Sequence, residues 1–286
     1  MKQKGFTLVE LLVVIAIIAM LMSILMPALA KVKAIAQRLM CGTNLSGIGK
    51  TMHLYATDFD DDFPVAGGPE ATWGTIGTIT DCAAVEPRSG WTLEATAYGR
   101  PGQNKITISS SLYLLVKYEE VQPKQFICKS DIGAEVFGVS GEDQLTDYWD
   151  FCSHAGKNCS YSYHMPYYDQ QRNPGFPLTS TSEPGSPVCA DRSPFLDTNV
   201  TEDALTVFIE DPDRAVSAPH QFEGQNVMFC DAHVEFLRLP MVGIEEDNIW
   251  INYNESSPEM YPEDVGDGAP GDFIDAYLVN ERQDVP

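Results

Sequence analysis

Residues 5–30 read GFTLVELLVVIAIIAMLMSILMPALA, and in this run Glu10 is the single ionisable side chain. From Phe6 to Ala30 the run is long enough, at 1.5 Å per helical residue, to extend about 37 Å, more than the roughly 30 Å of a bilayer core. A cleaved secretory signal would carry a shorter apolar region, about 7–15 residues, ending at an A-x-A-like site. Here the run passes without a break into KVKAIAQRLMCGTNLSGIG. The segment therefore reads as a retained anchor helix. A plain anchor has no use for Glu10, because a carboxylate in hydrocarbon costs about 2.5–3.5 kcal/mol. No basic side chain lies inside the run to meet it, which points to a partner on another chain.

Charge divides the chain in the same place. Residues 1–40 hold Lys2, Lys4, Lys31, Lys33 and Arg38 against Glu10, a net of +4, which leaves −27 for the remainder of a chain whose total is −23. A basic, apolar start and an acidic body fit a membrane-inserted end, with Met1–Lys4 cytoplasmic, and an exported head. Such acidity excludes nucleic acid as a partner, since phosphate binding needs a basic face.

Gly5-Phe6-Thr7-Leu8-Val9-Glu10 resembles the processing site of type IV pilins and type II secretion pseudopilins. The resemblance implies cleavage by a prepilin peptidase between Gly5 and Phe6, N-methylation of Phe6, and pairing of Glu10 with the N-terminal amine of a neighbouring subunit. Each charge is costly alone in hydrocarbon, and pairing offsets much of that cost while fixing axial register. Pro27 fits the proline that kinks or loosens many pilin helices, where it removes an i→i−4 hydrogen bond.

Beyond the run, Leu45, Ile48, Met52, Tyr55 and Phe59 recur at spacings of three and four, one apolar stripe of a helix. The spacing predicts a single helix from Phe6 to Asp58 whose second half packs on a head. Gly42, Gly47 and Gly49 are expected to loosen it locally. Pro64 closes the acidic stretch DFDDDFP that ends it. The text from there to Pro187 reads mostly as loops, with GRPGQNKITISSSLYLLVKY mixing turn residues with short β-branched runs. LTVFIED and QNVMFCDAHVEFLRL read as strands, the latter with a turn near Asp231-Ala232. From Glu245 to Pro286 twelve acids face Arg282, which suggests a surface-laid tail that Trp250, Tyr253 and Phe273 could anchor.

Scattered blocks carry a second resemblance. CGTNLSGIG (41–49), QFICKSD (125–131), NCSYSYHM (158–165), ADRSP (190–194) and HQFEGQNVMFCDAHVEF (220–236) resemble segments of a pilin-like group with an H-x9-DG C-terminal motif. Ten residues, not nine, separate His220 from Asp231, Ala232 replaces the glycine, and Lys129 stands where proline is usual.

Candidate chemistry is sparse. Seven cysteines in an exported body favour disulfides and leave one over. Cys152 and Cys159 are close enough for a local loop, while Cys41 on the helix reads as a packed thiol. His220, Asp231 and His233 could converge as a metal site, or His220 and Asp231 could hold a hairpin through backbone hydrogen bonds. Asp58, Asp60, Asp61 and Asp62 could gather Ca²⁺ or stand as solvated helix-end acids, since the EF-hand spacing is missing. Calcium or another divalent metal is thus the one cofactor class left open. There is no G-x-S-x-G, H-E-x-x-H or phosphate-binding glycine loop, and no enzyme is expected.

The expectation is an α+β pilin-like fold: a leader at 1–5, a transmembrane or filament-core helix at 6–30, an amphipathic helix at 31–58, a head with an antiparallel sheet and long loops at 59–242, and an acidic extension at 243–286. The partners implied are copies of the chain or related pilins, the prepilin peptidase, an inner-membrane assembly platform and lipid. Secretion pseudopilus and surface pilus stay open as uses. So does a non-polymerising, membrane-anchored binding module.

Overall fold

The computed structural model describes residues 8–66, 72–73, 105–139, 141, 144–151, 155–166, 177–197, 199–250 and 278–279. Helix α1 spans Leu8–Asp58, 51 residues or about 76 Å, and it runs through Pro27. None of its residues from Leu8 to Met40 is buried. From Cys41 the predicted stripe takes over: Cys41, Leu45, Ile48, Met52 and Tyr55 are buried in the head, and Phe59 packs beside them. Burying such a side chain contributes about 1.5–3 kcal/mol.

The glycines of this half do not loosen the helix, which stays regular through all three. Gly49 lets α1 approach the sheet: a Cβ there would sit 2.5 Å from Met228 Sδ and 3.0 Å from Ala232 Cβ.

Strands β1 (Thr72–Trp73) and β2 (Lys105–Ile106) form a parallel pair of their own. Helix α2 (Ile108–Tyr118) follows, then α3 (Ala155–Asn158), β3 (Tyr161–His164), β4 (Pro187–Asp191), α4 (Glu202–Glu210), β5 (Gln225–Phe229), β6 (Val234–Leu237) and β7 (Leu278–Val279). The main sheet is antiparallel throughout, in the order β6-β5-β4-β3-β7. An α+β pilin-like architecture results.

Both faces of the sheet are covered, so β3, β4 and β5 are buried at every position instead of alternating with solvent. Met228, Val188, Tyr161 and Tyr163 join α1 and α2 in one core. Val227 and Phe229, one residue either side of Met228, point the other way, into a second core with Phe208 of α4, Ile249, Trp250 and Leu278.

Two stretches differ from their sequence reading. ISSSLYLLVKY is helical: Thr107 Oγ1 accepts from Ser110 N at 3.3 Å as an N-cap, and all residues from Ile108 to Val116 are buried. LTVFIE belongs to α4, capped by Thr201 Oγ1 accepting from Ala204 N. In the acidic stretch after residue 243, Ile249 and Trp250 are fully buried and Leu278–Val279 adds an edge strand beside β3. Tyr253 and Phe273 lie outside the described residues.

Candidate functional site

Two regions stand out: the bare first half of α1 and the place where its second half meets the head. Gly5 and Phe6 lie outside the described residues. Glu10 sits in the first turn of α1 and is exposed. From Leu8 to Met40 large apolar side chains stand in the open, Leu8 at 77% and Leu29 at 68% exposure. Mean hydropathy over the most apolar 18-residue window of this helix reaches 2.9, with none of it buried.

Where α1 reaches the head, the scattered blocks come together. Cys41 is not a packed thiol but is disulfide-bonded to Cys128, 87 residues on, with a Cα–Cα distance of 5.3 Å. Three residues along, Asn44 Nδ2 donates to Ile127 O at 3.2 Å and to Tyr161 Oη at 3.3 Å. On the N-terminal side, Arg38 pairs with Glu223 and lies over the Phe236 ring, 3.8 Å from its centroid. His53 Nε2 contacts Cys230 O at 2.7 Å. The helix is thus fastened to the head by covalent, polar and apolar means along some four turns.

Beneath Cys41 lies a buried polar group. Asp191 ends β4, and its Oδ2 accepts from Asn226 N at 2.7 Å and Asn226 Nδ2 at 2.9 Å. His220 Nε2 is 3.0 Å from the same oxygen. Arg192, the residue after β4, pairs with Asp131 Oδ2 through Nη2 at 2.8 Å and Nε at 3.2 Å, both side chains fully buried. Arg192 Nη2 also donates to Cys159 O at 2.8 Å. Removing one partner of such a pair strands a charge in the core.

The predicted metal trio does not assemble. His220 faces Asp191, whereas Asp231 and His233 sit in the exposed β5–β6 turn and satisfy each other: Asp231 Oδ1 accepts from His233 N at 3.0 Å and pairs with the His233 ring. These hydrogen bonds hold the Asp231 carboxyl below its ordinary range. The His233 ring stacks on Phe229, 4.4 Å between centroids. Ala232 takes the left-handed φ of +65° that a glycine would supply, so the turn survives the replacement. Between His220 and β5, Gln221 and Phe222 are also left-handed. Gly224 has a φ of +143°, and a Cβ there would meet Leu237 O at 2.3 Å.

The acidic run does not converge either. Asp58 closes α1, and Asp60 and Asp61 turn the chain through positive φ. Asp61 accepts from Ser180 Oγ at 3.0 Å, and Asp62 bridges to Thr179. Among the described residues, the metal-type ligands that gather are Cys41, Cys128, Asp191 and His220. Cys152 lies outside the described residues, and Cys159 is a free, buried thiol that donates to Tyr161 O and that burial pushes up to about 12. Asp191, Asn226 and the Cys41–Cys128 pairing were missed, although every one lies in a block that carried the second resemblance.

Residues 1–26 match the family model described as the prokaryotic N-terminal methylation motif. The N-terminus is of the prepilin type. The match covers the N-terminus alone, and the apolar half of α1 that follows it is long and apolar enough to cross a membrane. No curated protein and no solved structure matches the chain.

Proposed function

We propose that the chain is a prepilin-like structural subunit: cut between Gly5 and Phe6 by a prepilin peptidase, methylated on Phe6, held in the inner membrane by residues 6–30 with the head outside, and drawn by an assembly platform into a filament whose apolar helices bundle inside. The observation that carries this reading is the half-bare helix, which presents 33 residues from Leu8 to Met40 without one buried and needs lipid first and then other helices around it. Glu10 serves as the register device, meeting the amine of a neighbour's Phe6. A pseudopilus that moves secreted protein is the use preferred here over a surface pilus, on the resemblance to secretion pseudopilins.

Mass spectrometry of the N-terminal peptide from native membranes tests processing, and a chain beginning at methylated Phe6 is expected. An intact Met1, or a cut near Ala30, overturns the reading. Glu10→Leu tests assembly: filament yield falls below detection while the anchored monomer remains. Unchanged behaviour of that variant, in a chain seen only as monomer, supports a non-polymerising anchored binding module instead.

A further inference from the structure

Four side chains from separate stretches bring metal-type ligand atoms to one place under α1. Cys41 comes from the helix, Cys128 from the segment after the 3-10 turn Pro123–Phe126, Asp191 from the end of β4, and His220 from the end of the 3-10 turn Ala218–His220. One ligand atom of each lies within 4.8 Å of all the others, and all four residues are buried. His220 Nε2 is 3.8 Å from Cys128 Sγ and 3.0 Å from Asp191 Oδ2. Asn226 holds that carboxylate by its Oδ2, with backbone and side-chain donors. The other oxygen, Asp191 Oδ1, is buried without a hydrogen-bond partner, a deficit that calls for a reason in a residue this enclosed.

We infer that, with the Cys41–Cys128 bond reduced, these four residues form a tetrahedral Zn²⁺ site, so that the same two cysteines serve either as a crosslink or as half of a metal centre. Two thiolates, an imidazole and a carboxylate are the ligand types zinc takes, and soft sulfur selects it over Ca²⁺ or Mg²⁺. With zinc–ligand bonds of about 2.0–2.3 Å, a tetrahedron sets ligand atoms about 3.3–3.8 Å apart. Movements of about 1 Å close the present spread. Asn226 supplies the outer hydrogen bonds that orient a ligating carboxylate.

The chemistry balances with a dithiol donor. Two electrons and two protons pass from the donor, which becomes a disulfide, to the Cys41–Cys128 bond, which becomes two thiols. Zn²⁺ then displaces the two thiol protons into solvent as it binds the thiolates. The site lies where the second half of α1 meets the head, apart from the exposed apolar half, so its fate is separate from whether the chain polymerises.

The test takes the full chain in detergent, reduces it anaerobically with a dithiol, removes the reductant and titrates Co²⁺. About one Co²⁺ per chain should bind with thiolate charge-transfer absorption and intense tetrahedral d–d bands, and Zn²⁺ should displace it. His220→Ala and Asp191→Asn keep both thiols and should each weaken binding by at least about tenfold, whereas Cys230→Ser, at a free cysteine outside the group, should change nothing. Circular dichroism follows the fold in parallel. Absence of these bands in a folded reduced chain overturns the site. So does a spectrum that His220→Ala leaves intact, or a reduced chain that unfolds and that Zn²⁺ does not restore.

Discussion

Helix α1 is one uninterrupted element with two opposite environments. Residues Leu8–Ala30 are apolar but for Glu10 and stand exposed, and residues Cys41–Asp58 are mixed in composition yet carry the buried stripe of the head. The difference shows that helix formation and helix burial are separate matters. The first half is helical because a continuous run of Leu, Ile, Val, Met and Ala has one way to satisfy its backbone in lipid. The second is helical because a 3–4 spacing offers one face to a core. Apolarity alone would have placed the core of the molecule at the wrong end.

Paired substitutions sharpen this contrast most. Ile48→Ala should destabilise the head by about 2–5 kcal/mol, while Ile24→Ala, with Ile24 65% exposed, should leave denaturant unfolding of the detergent-solubilised chain unchanged. Equal effects would mean that the halves are not energetically distinct. Next comes the crosslink. Replacing Cys41 and Cys128 by Ala opens a loop of 87 residues and should cost about 2–5 kcal/mol, read as a lowered denaturant midpoint.

Gly49→Ala should follow at about 1–3 kcal/mol, because the added methyl meets Met228 and Ala232. If that variant proves more stable, as helix propensity alone predicts, the close approach of α1 to the hairpin is not tight. The smallest effect belongs to Asp231. Its folded carboxyl titrates below the ordinary 3.8, so the stability it contributes is present above about pH 4 and is lost as pH falls through the lower folded value. Asp231→Asn should therefore lower stability slightly at pH 7, leave it unchanged below the folded value, and so shallow the acid limb of a pH–stability curve. The effect is modest, since the turn is solvent-screened.

Much of this was legible in the residues. The anchor, the stripe and the β5–β6 hairpin each rest on a local period or an unbroken run, which a sequence displays directly. Helices α2 and α4 were hidden for different reasons. ISSSLYLLVKY is buried on almost every side, so it has no polar face to betray a 3.6-residue period. LTVFIE looks extended only when the capping Thr201 and the acids Glu202 and Asp203 ahead of it are left out. The buried polar group was the hardest to see. Asp231 and His233 are two residues apart and satisfy one another, so nearness in sequence to His220 misled. Asp191 reaches His220 only because β4 and β5 are paired strands, and Cys41 meets Cys128 across 87 residues. Spacing carries no trace of either contact.

The position of the disulfide has a mechanical consequence. Cys41 is the first buried residue of α1, directly after the half that a membrane or a filament would grip. A pull along the helix therefore meets the polar contacts of Arg38 first and then a covalent bond, before it loads any buried apolar contact. The stripe from Leu45 to Tyr55 lies behind that bond, in its lee. With the bond intact, the pull meets the head as a single body. With it open, the same pull would peel the helix from the sheet one turn at a time.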